Sequence, residues 1–160
     1  CIGVDPYYLL HKSEASGYKP NLLHSSRKIN NDIAIFIVNK TIRFMKESNK
    51  KIDNSRILIL GYTFKEDCTD TRNTKVQDIV DGLLSYSCNV SIFDPYLGPD
   101  YGNNFISEPF LEEIKYDAIL VAVAHKKFLD YSISDFRQLS KGKLVFLDIK
   151  GIYKESNWKL

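Results

Sequence analysis

Three stretches of the sequence hold side chains able to do chemistry. The chain opens on CIGVDPYYLL, where the thiol of Cys1 stands four residues ahead of Asp5. A thiol beside a helix amino terminus has its thiolate favoured, and the thiolate is the nucleophile. On sequence alone Cys1 has four readings. It is a small buried hydrophobe; or the acylated first residue of a lipoprotein, opposed by the apolar Ile2, Val4, Tyr7, Tyr8, Leu9 and Leu10 where a polar tether belongs; or an N-terminal nucleophile using its own amine as base, opposed by a pattern that does not predict stacked β-sheets; or the catalytic thiol of a longer protein.

The second stretch is GYTFKEDCTDTRNTK, residues 61 to 75. It follows an apolar run closed by Gly61 and is longer than the roughly two to six residues such a connection needs, which suggests function. Lys65 and Arg72 lie within it, and it feeds a helix start whose free amides and dipole favour an anion. A phosphate or pyrophosphate suits that combination, with Arg72 making a forked contact and Lys65 a point-charge contact. The same charges suit a solvated loop in which they pair with Glu66, Asp67 and Asp70, and both readings stand. With Gly61 as its single glycine, the loop lacks the G-x-G-x-x-G dinucleotide fingerprint.

The third group closes later apolar runs. Asp94-Pro95 reads as a turn opener, His125 as a polar residue ending a strand, and Lys150-Gly151 as a lysine placed over the same crevice as Lys65. Ligands of open parallel sheets bind outside the carboxyl ends of the strands, which is where all these residues fall.

The elements that must position them follow from periodicity. Asp5-Pro6 predicts a helix start with Asp5 as a cap and a helix of about ten residues ending near Gly17. Asn21 is a candidate cap for a long helix to about Glu47, with Leu22, Ile29, Ile33, Phe36, Ile37 and Phe44 forming an apolar stripe. SNKKIDNS, residues 48 to 55, reads as a linker. Strands are predicted at 56–61, in NVSIFDP, at 118–124 and in KLVFLDI; helices at 75–87, at 107–114 with Ser107 as cap, and at 132–139. The alternation predicts an α/β fold, a Rossmann-like parallel sheet with helices on both faces, preceded by a helical segment with one long helix. Residues 1–53 and 54–160 are the expected parts.

Composition excludes several classes. A net charge of +2 with scattered lysines gives no nucleic-acid surface, and no apolar run approaches the roughly 20 residues of a membrane helix. Three cysteines without CxxC spacing argue against disulfides and for a reducing, cytoplasmic setting. Three histidines far apart in sequence, His11, His24 and His125, make a structural metal site unexpected.

Five blocks in order, CIGVDPYYL, SRKINND, LGYTFKEDCTDTRNTKVQDIV, VSIFDPY and VAVAHKKF, resemble the carboxyl-terminal part of the UDP-glucose/GDP-mannose dehydrogenase family. The likeness is strongest to its bacterial branch acting on UDP-N-acetylhexosamines. The resemblance implies the end of a helical, dimer-forming middle domain (1–53) and a UDP-sugar-binding Rossmann-like domain (54–160), without the family's N-terminal NAD-binding domain. The implied reaction is a two-fold oxidation at the sugar's sixth carbon with two NAD+, through a cysteine thiohemiacetal and thioester, to a uronate of surface polysaccharide biosynthesis.

Carried over by position, the resemblance makes Cys1 the catalytic cysteine and Asp5 the aspartate that helps activate water. Phe64 and Lys65 fall at the UDP-sugar, and Arg72 on an arginine that reaches NAD. Lys150 stands where relatives often have arginine near cofactor or substrate. Arg27 matches a family position expected to be structural or interfacial, and His125 fits the acetylhexosamine branch better than the glucose branch. A homodimer through the long helix is the expected assembly, and this chain by itself is expected to be inactive. The competing reading is a stand-alone nucleotide-binding module.

Overall fold

Alternate residues of the central strands go to opposite cores. In a computed structural model that describes residues 4–110 and 113–160, β1 (Arg56–Leu60) sends Ile57 and Ile59 to one apolar cluster and Leu58 and Leu60 to the other. β3 (Ala118–Val121) does the same with Ala118 and Leu120 against Ile119 and Val121. Side chains alternate across a strand, so a run without polar residues must be covered on both faces. Burying each such Ile or Leu is worth about 1.5–3 kcal/mol relative to exposure.

The sheet is parallel and five-stranded, in the order β2-β1-β3-β4-β5, with β2 at Asn89–Phe93, β4 at Phe146–Asp148 and β5 at Trp158–Lys159. One face is covered by α2 (Asn21–Glu47) and α3 (Val76–Ser85), whose Ala34, Ile37, Val38, Ile42, Met45, Val76, Ile79, Val80 and Leu83 share a cluster with the strands. α4 (Ile133–Leu139) and a 3-10 turn at Lys126–Asp130 cover the other face with Phe136, Leu139 and Phe128. α1 (Asp5–Ala15) packs against α2. The α/β, Rossmann-like expectation therefore holds.

Several local expectations do not. Asp5 and Asn21 are first helical residues rather than caps: the capping positions belong to Val4 and Pro20, and neither helix has a side-chain cap bond. The helix expected at 107–114 is absent among its described residues, which form a bend and a turn. Pro109 disfavours helical backbone at Glu108. Glu108 instead accepts a hydrogen bond from the Tyr131 hydroxyl at 2.8 Å, and Phe110 packs tilted against Tyr131, ring centres 4.8 Å apart. The third strand stops at Val121 rather than continuing to 124.

β5 has no sequence signal. Asn157 creates it, donating its amide N–H to Phe146 O at 2.8 Å while its Oδ1 accepts from Phe146 N–H at 2.7 Å. That bracket sets Trp158 opposite Leu147. Among the described residues no helix is long and apolar enough to cross a membrane.

Candidate functional site

β1 ends against a neighbour so close that only glycine fits. Gly61 has φ +90, and a Cβ there would lie 2.5 Å from Val123 Cβ. Its N–H donates to Phe93 O at 2.8 Å. The chain then turns over the sheet edge, and the next two amides, of Tyr62 and Thr63, donate to Asp94 Oδ2 at 2.7 and 3.1 Å. Asp94 Oδ1 takes the Tyr96 amide at 2.9 Å, so Asp94 does open the expected turn. It also anchors the loop after the neighbouring strand, which its turn-forming sequence does not announce.

Asp94 is 1% exposed. Burial by itself raises its carboxyl, and the bonds from His125 and from the Tyr62, Tyr96 and Thr63 amides outweigh that and hold it below the ordinary carboxylate value. His125 is fully buried. Its Nε2 lies 3.0 Å from Asp94 Oδ2 and 3.1 Å from Thr63 Oγ1, and its Nδ1 accepts the Asp67 amide at 3.0 Å. An acceptor at Nδ1 places the ring proton on Nε2, aimed at Asp94.

This base presents the exposed part of the loop. Phe64 is 44% exposed. Lys65 is exposed, and among the described residues its ammonium has no hydrogen-bond or ion-pair partner. Arg72 behaves differently. Its Nε and Nη2 fork onto Asp70 at 3.0 and 2.8 Å, and that contact pushes the Asp70 carboxyl down to about 2. Arg72 and Asp70 thus make a surface ion pair of the kind the solvated-loop reading expects, whereas Lys65 makes none among the described residues. The loop returns to α3 through Thr74, whose hydroxyl donates to Tyr62 O at 2.7 Å and accepts the Val76 amide at 3.2 Å.

Lys150 sits on a similar support. The buried Asp148 accepts the amides of Gly151 at 2.8 Å and Tyr153 at 2.7 Å, leaving Lys150 exposed at the carboxyl end of β4. Phe64, Lys65 and Arg72 share one loop; Lys150 follows β4, with β3 between β4 and β1. Asp5 is exposed in the first turn of α1. Cys1 lies outside the described residues.

A cleft of about 370 Å³ joins the loop to the helical segment, with Phe64, Asn73 and Lys75 on one side and Tyr7, Arg27 and Asn31 on the other. Arg27 lies over the Tyr7 ring, 5.3 Å from its centre, and Asn31 Nδ2 donates to the Tyr7 hydroxyl at 2.9 Å. Sequence reasoning noted Arg27 as structural or interfacial and missed Tyr7, Asn31, Thr63 and Asp67. Their partners lie too far along the chain for spacing to reveal them.

Among the described residues no group of three or more His, Cys, Asp or Glu side chains could hold a metal ion. A dinucleotide fits this chain poorly as a self-contained site. The β1 loop has one glycine, and that glycine is packed on Val123 rather than open for a pyrophosphate. Arg72 is 85% exposed at its side chain.

Residues 58–155 match the UDP-glucose/GDP-mannose dehydrogenase family, UDP binding domain. The chain belongs to this family. It is 41% identical over 155 residues to a UDP-N-acetyl-D-glucosamine 6-dehydrogenase of Salmonella typhi, an alignment covering 94% of this chain and 36% of that protein. A Pseudomonas aeruginosa protein of the same name is 38% identical over 160 residues, covering 97% and 37%. The chain therefore spans little more than a third of these relatives. Among solved structures, a UDP-D-ManNAc dehydrogenase from Pyrococcus horikoshii superposes with a TM-score of 0.81 at 24% identity over 99% of this chain and 37% of that one, a likeness of fold.

Proposed function

We propose that this chain is the carboxyl-terminal portion of an NAD-dependent nucleotide-sugar dehydrogenase that oxidises the sixth carbon of a UDP-N-acetylhexosamine to a uronate, for surface polysaccharide. Residues 1–53 end its helical dimerisation domain, and residues 54–160 bind the UDP-sugar. The observation that carries the reading is a Lys65 without an ion-pair partner among the described residues, beside an exposed Phe64, on a loop pinned at the carboxyl edge of a sheet whose sequence matches the family's UDP binding domain. Relatives named for UDP-N-acetylhexosamine chemistry support the substrate class.

In this reading Phe64 and Lys65 meet the UDP-sugar, Lys150 adds a second cation from the end of β4, and Arg72 reaches the cofactor after leaving Asp70. Cys1 adds as a thiolate to the aldehyde left by the first hydride transfer. The thiohemiacetal so formed is the donor of the second hydride, because a tetrahedral adduct releases hydride where a free aldehyde does not. Asp5 takes a proton from the water that cleaves the resulting thioester, which releases the uronate and returns the thiol. NAD+ would supply the hydride acceptor for both oxidations, with Arg72 among the residues that would contact it. The site of this soluble-side chemistry is cytoplasmic, where thiols stay reduced.

Calorimetry with UDP tests the binding half. The chain is expected to bind UDP, with Lys65→Ala weakening affinity about tenfold, the size of a charge-assisted contact. Unchanged affinity removes Lys65 from the site, and no binding by the unsubstituted chain removes the loop. The 160-residue chain is expected to make no NADH with any UDP-sugar.

A further inference from the structure

One imidazole touches both ends of the exposed arch. Phe64, Lys65 and Glu66 lie between Thr63 and Asp67, and His125 reaches each: Nε2 is 3.1 Å from Thr63 Oγ1, and Nδ1 accepts the Asp67 amide at 3.0 Å. The Thr63 hydroxyl donates onward to Lys65 O at 2.9 Å, so its lone pair is available to Nε2–H. Asp67 is held at φ +53, a left-handed conformation that non-glycine residues adopt where surrounding contacts favour it. Those contacts are present here. Besides its amide bond to His125, Asp67 Oδ1 accepts from the Lys126 amide at 3.1 Å and from the Tyr96 hydroxyl at 3.3 Å.

The ring itself cannot shift. It lies between Tyr96 and Phe128, ring centres 5.1 and 5.4 Å away, and it is bonded to Asp94, which also holds the Tyr62 and Thr63 amides. The strand order explains the convergence. β2 and β3 flank β1, so Asp94 after β2 and His125 after β3 both end beside the loop that follows β1.

We propose that His125 is the positioning residue of the UDP loop: its two nitrogens clamp Thr63 and Asp67 and thereby fix the arch that presents Phe64 and Lys65. This deepens the functional reading above and rests on it for the ligand, while the clamp itself is independent of any ligand. A buried, fully bonded histidine at this place sets the geometry before ligand arrives, so the ligand does not bear the cost of ordering the arch.

The test uses the whole 160-residue chain, with amide hydrogen exchange and UDP calorimetry on His125→Phe and His125→Asn. Phe keeps a ring and loses the contacts to Thr63, Asp67 and Asp94. Asn returns an acceptor near Nδ1. In His125→Phe the Asp67 amide is expected to exchange at least tenfold faster while the β1 amides keep their protection, and UDP affinity to fall about tenfold. In His125→Asn both are expected to return to within about threefold of the parent.

A His125→Phe chain whose Asp67 exchange is unchanged overturns the clamp, and so does faster exchange with undiminished UDP affinity. Failure of Asn to restore either overturns the assignment to Nδ1. If the parent chain does not bind UDP, the ligand reading fails, and Asp67 exchange still decides the clamp. If His125→Phe does not fold, Thr63→Val, which removes the hydroxyl at nearly constant volume, is expected to speed Asp67 exchange and weaken UDP in the same way; no change in either overturns the proposal.

Discussion

At Asp94 a buried charge is held by donors from three different segments: the Tyr62 and Thr63 amides, the Tyr96 amide and the His125 imidazole. A depressed folded-state carboxyl means that the unfolded chain takes up its proton first as pH falls. The stabilisation is therefore complete above the ordinary value of 3.8 and is lost as pH drops from there through the lower folded value. Urea unfolding between about pH 6 and pH 3 is expected to show a falling midpoint for the parent, and a shallower fall for Asp94→Asn, which starts less stable near neutrality because one acceptor oxygen is gone. Equal slopes would show that other carboxylates carry the acid sensitivity. The contrast with Asp70 is one of setting: its carboxyl is also depressed, but by the Arg72 fork on an exposed side chain that is 39% accessible, where solvent screens the pair.

At the scale of elements, α2 divides its apolar stripe. Ile37 is buried, and Ile33 and Phe44 pack on the cluster under the sheet, whereas Leu22 and Ile29 stay 87% and 69% exposed. The division follows from where α3 lies against α2. Gly82 of α3 meets Val38 so closely that a Cβ would be 2.7 Å from Val38 Cγ2, and valine's branched χ1 leaves little room to yield. Gly82→Ala gains about 1 kcal/mol of helix propensity but is expected to lose about 1–2 kcal/mol net through overpacking. Val38→Ala in the same chain should recover part of that loss, as a double-mutant cycle in urea would show. A stabilising Gly82→Ala would mean that α2 moves freely on α3.

For the molecule as a whole, the side of α2's amino-terminal part that α1 leaves open is the face we propose for self-association. Leu22 and Ile29, seven residues apart and so on one side of the helix, are 87% and 69% exposed, and contiguous apolar surface marks an interaction site. Light scattering at rising concentration is expected to show a dimer, and Leu22→Glu with Ile29→Glu to return a monomer without loss of the sheet's thermal transition. A parent chain that stays monomeric at high concentration would remove α2 as the dimer helix.

How much of this could be read without coordinates depends on the range of the interaction. RILIL and AILV read as strands because a run of apolar residues bounded by turns needs cover on both faces. The long β1 loop, with Phe64, Lys65 and Arg72 in it, was legible from its length and charge, and the family from five ordered blocks. The 107–114 segment misled because cap chemistry is local and the pull of Tyr131 and Phe136 on it is not. β5 rests on Asn157 reaching Phe146. The Asp94–His125 bond joins residues 31 positions apart, and no spacing rule forecasts it. The sequence by itself determined four of the five strands and which loop bears the cations. Only the packing of β2 and β3 on either side of β1 decided that a carboxylate and an imidazole from two other strands would hold that loop in place, because a buried polar group takes its partner from whatever neighbour the strand order supplies.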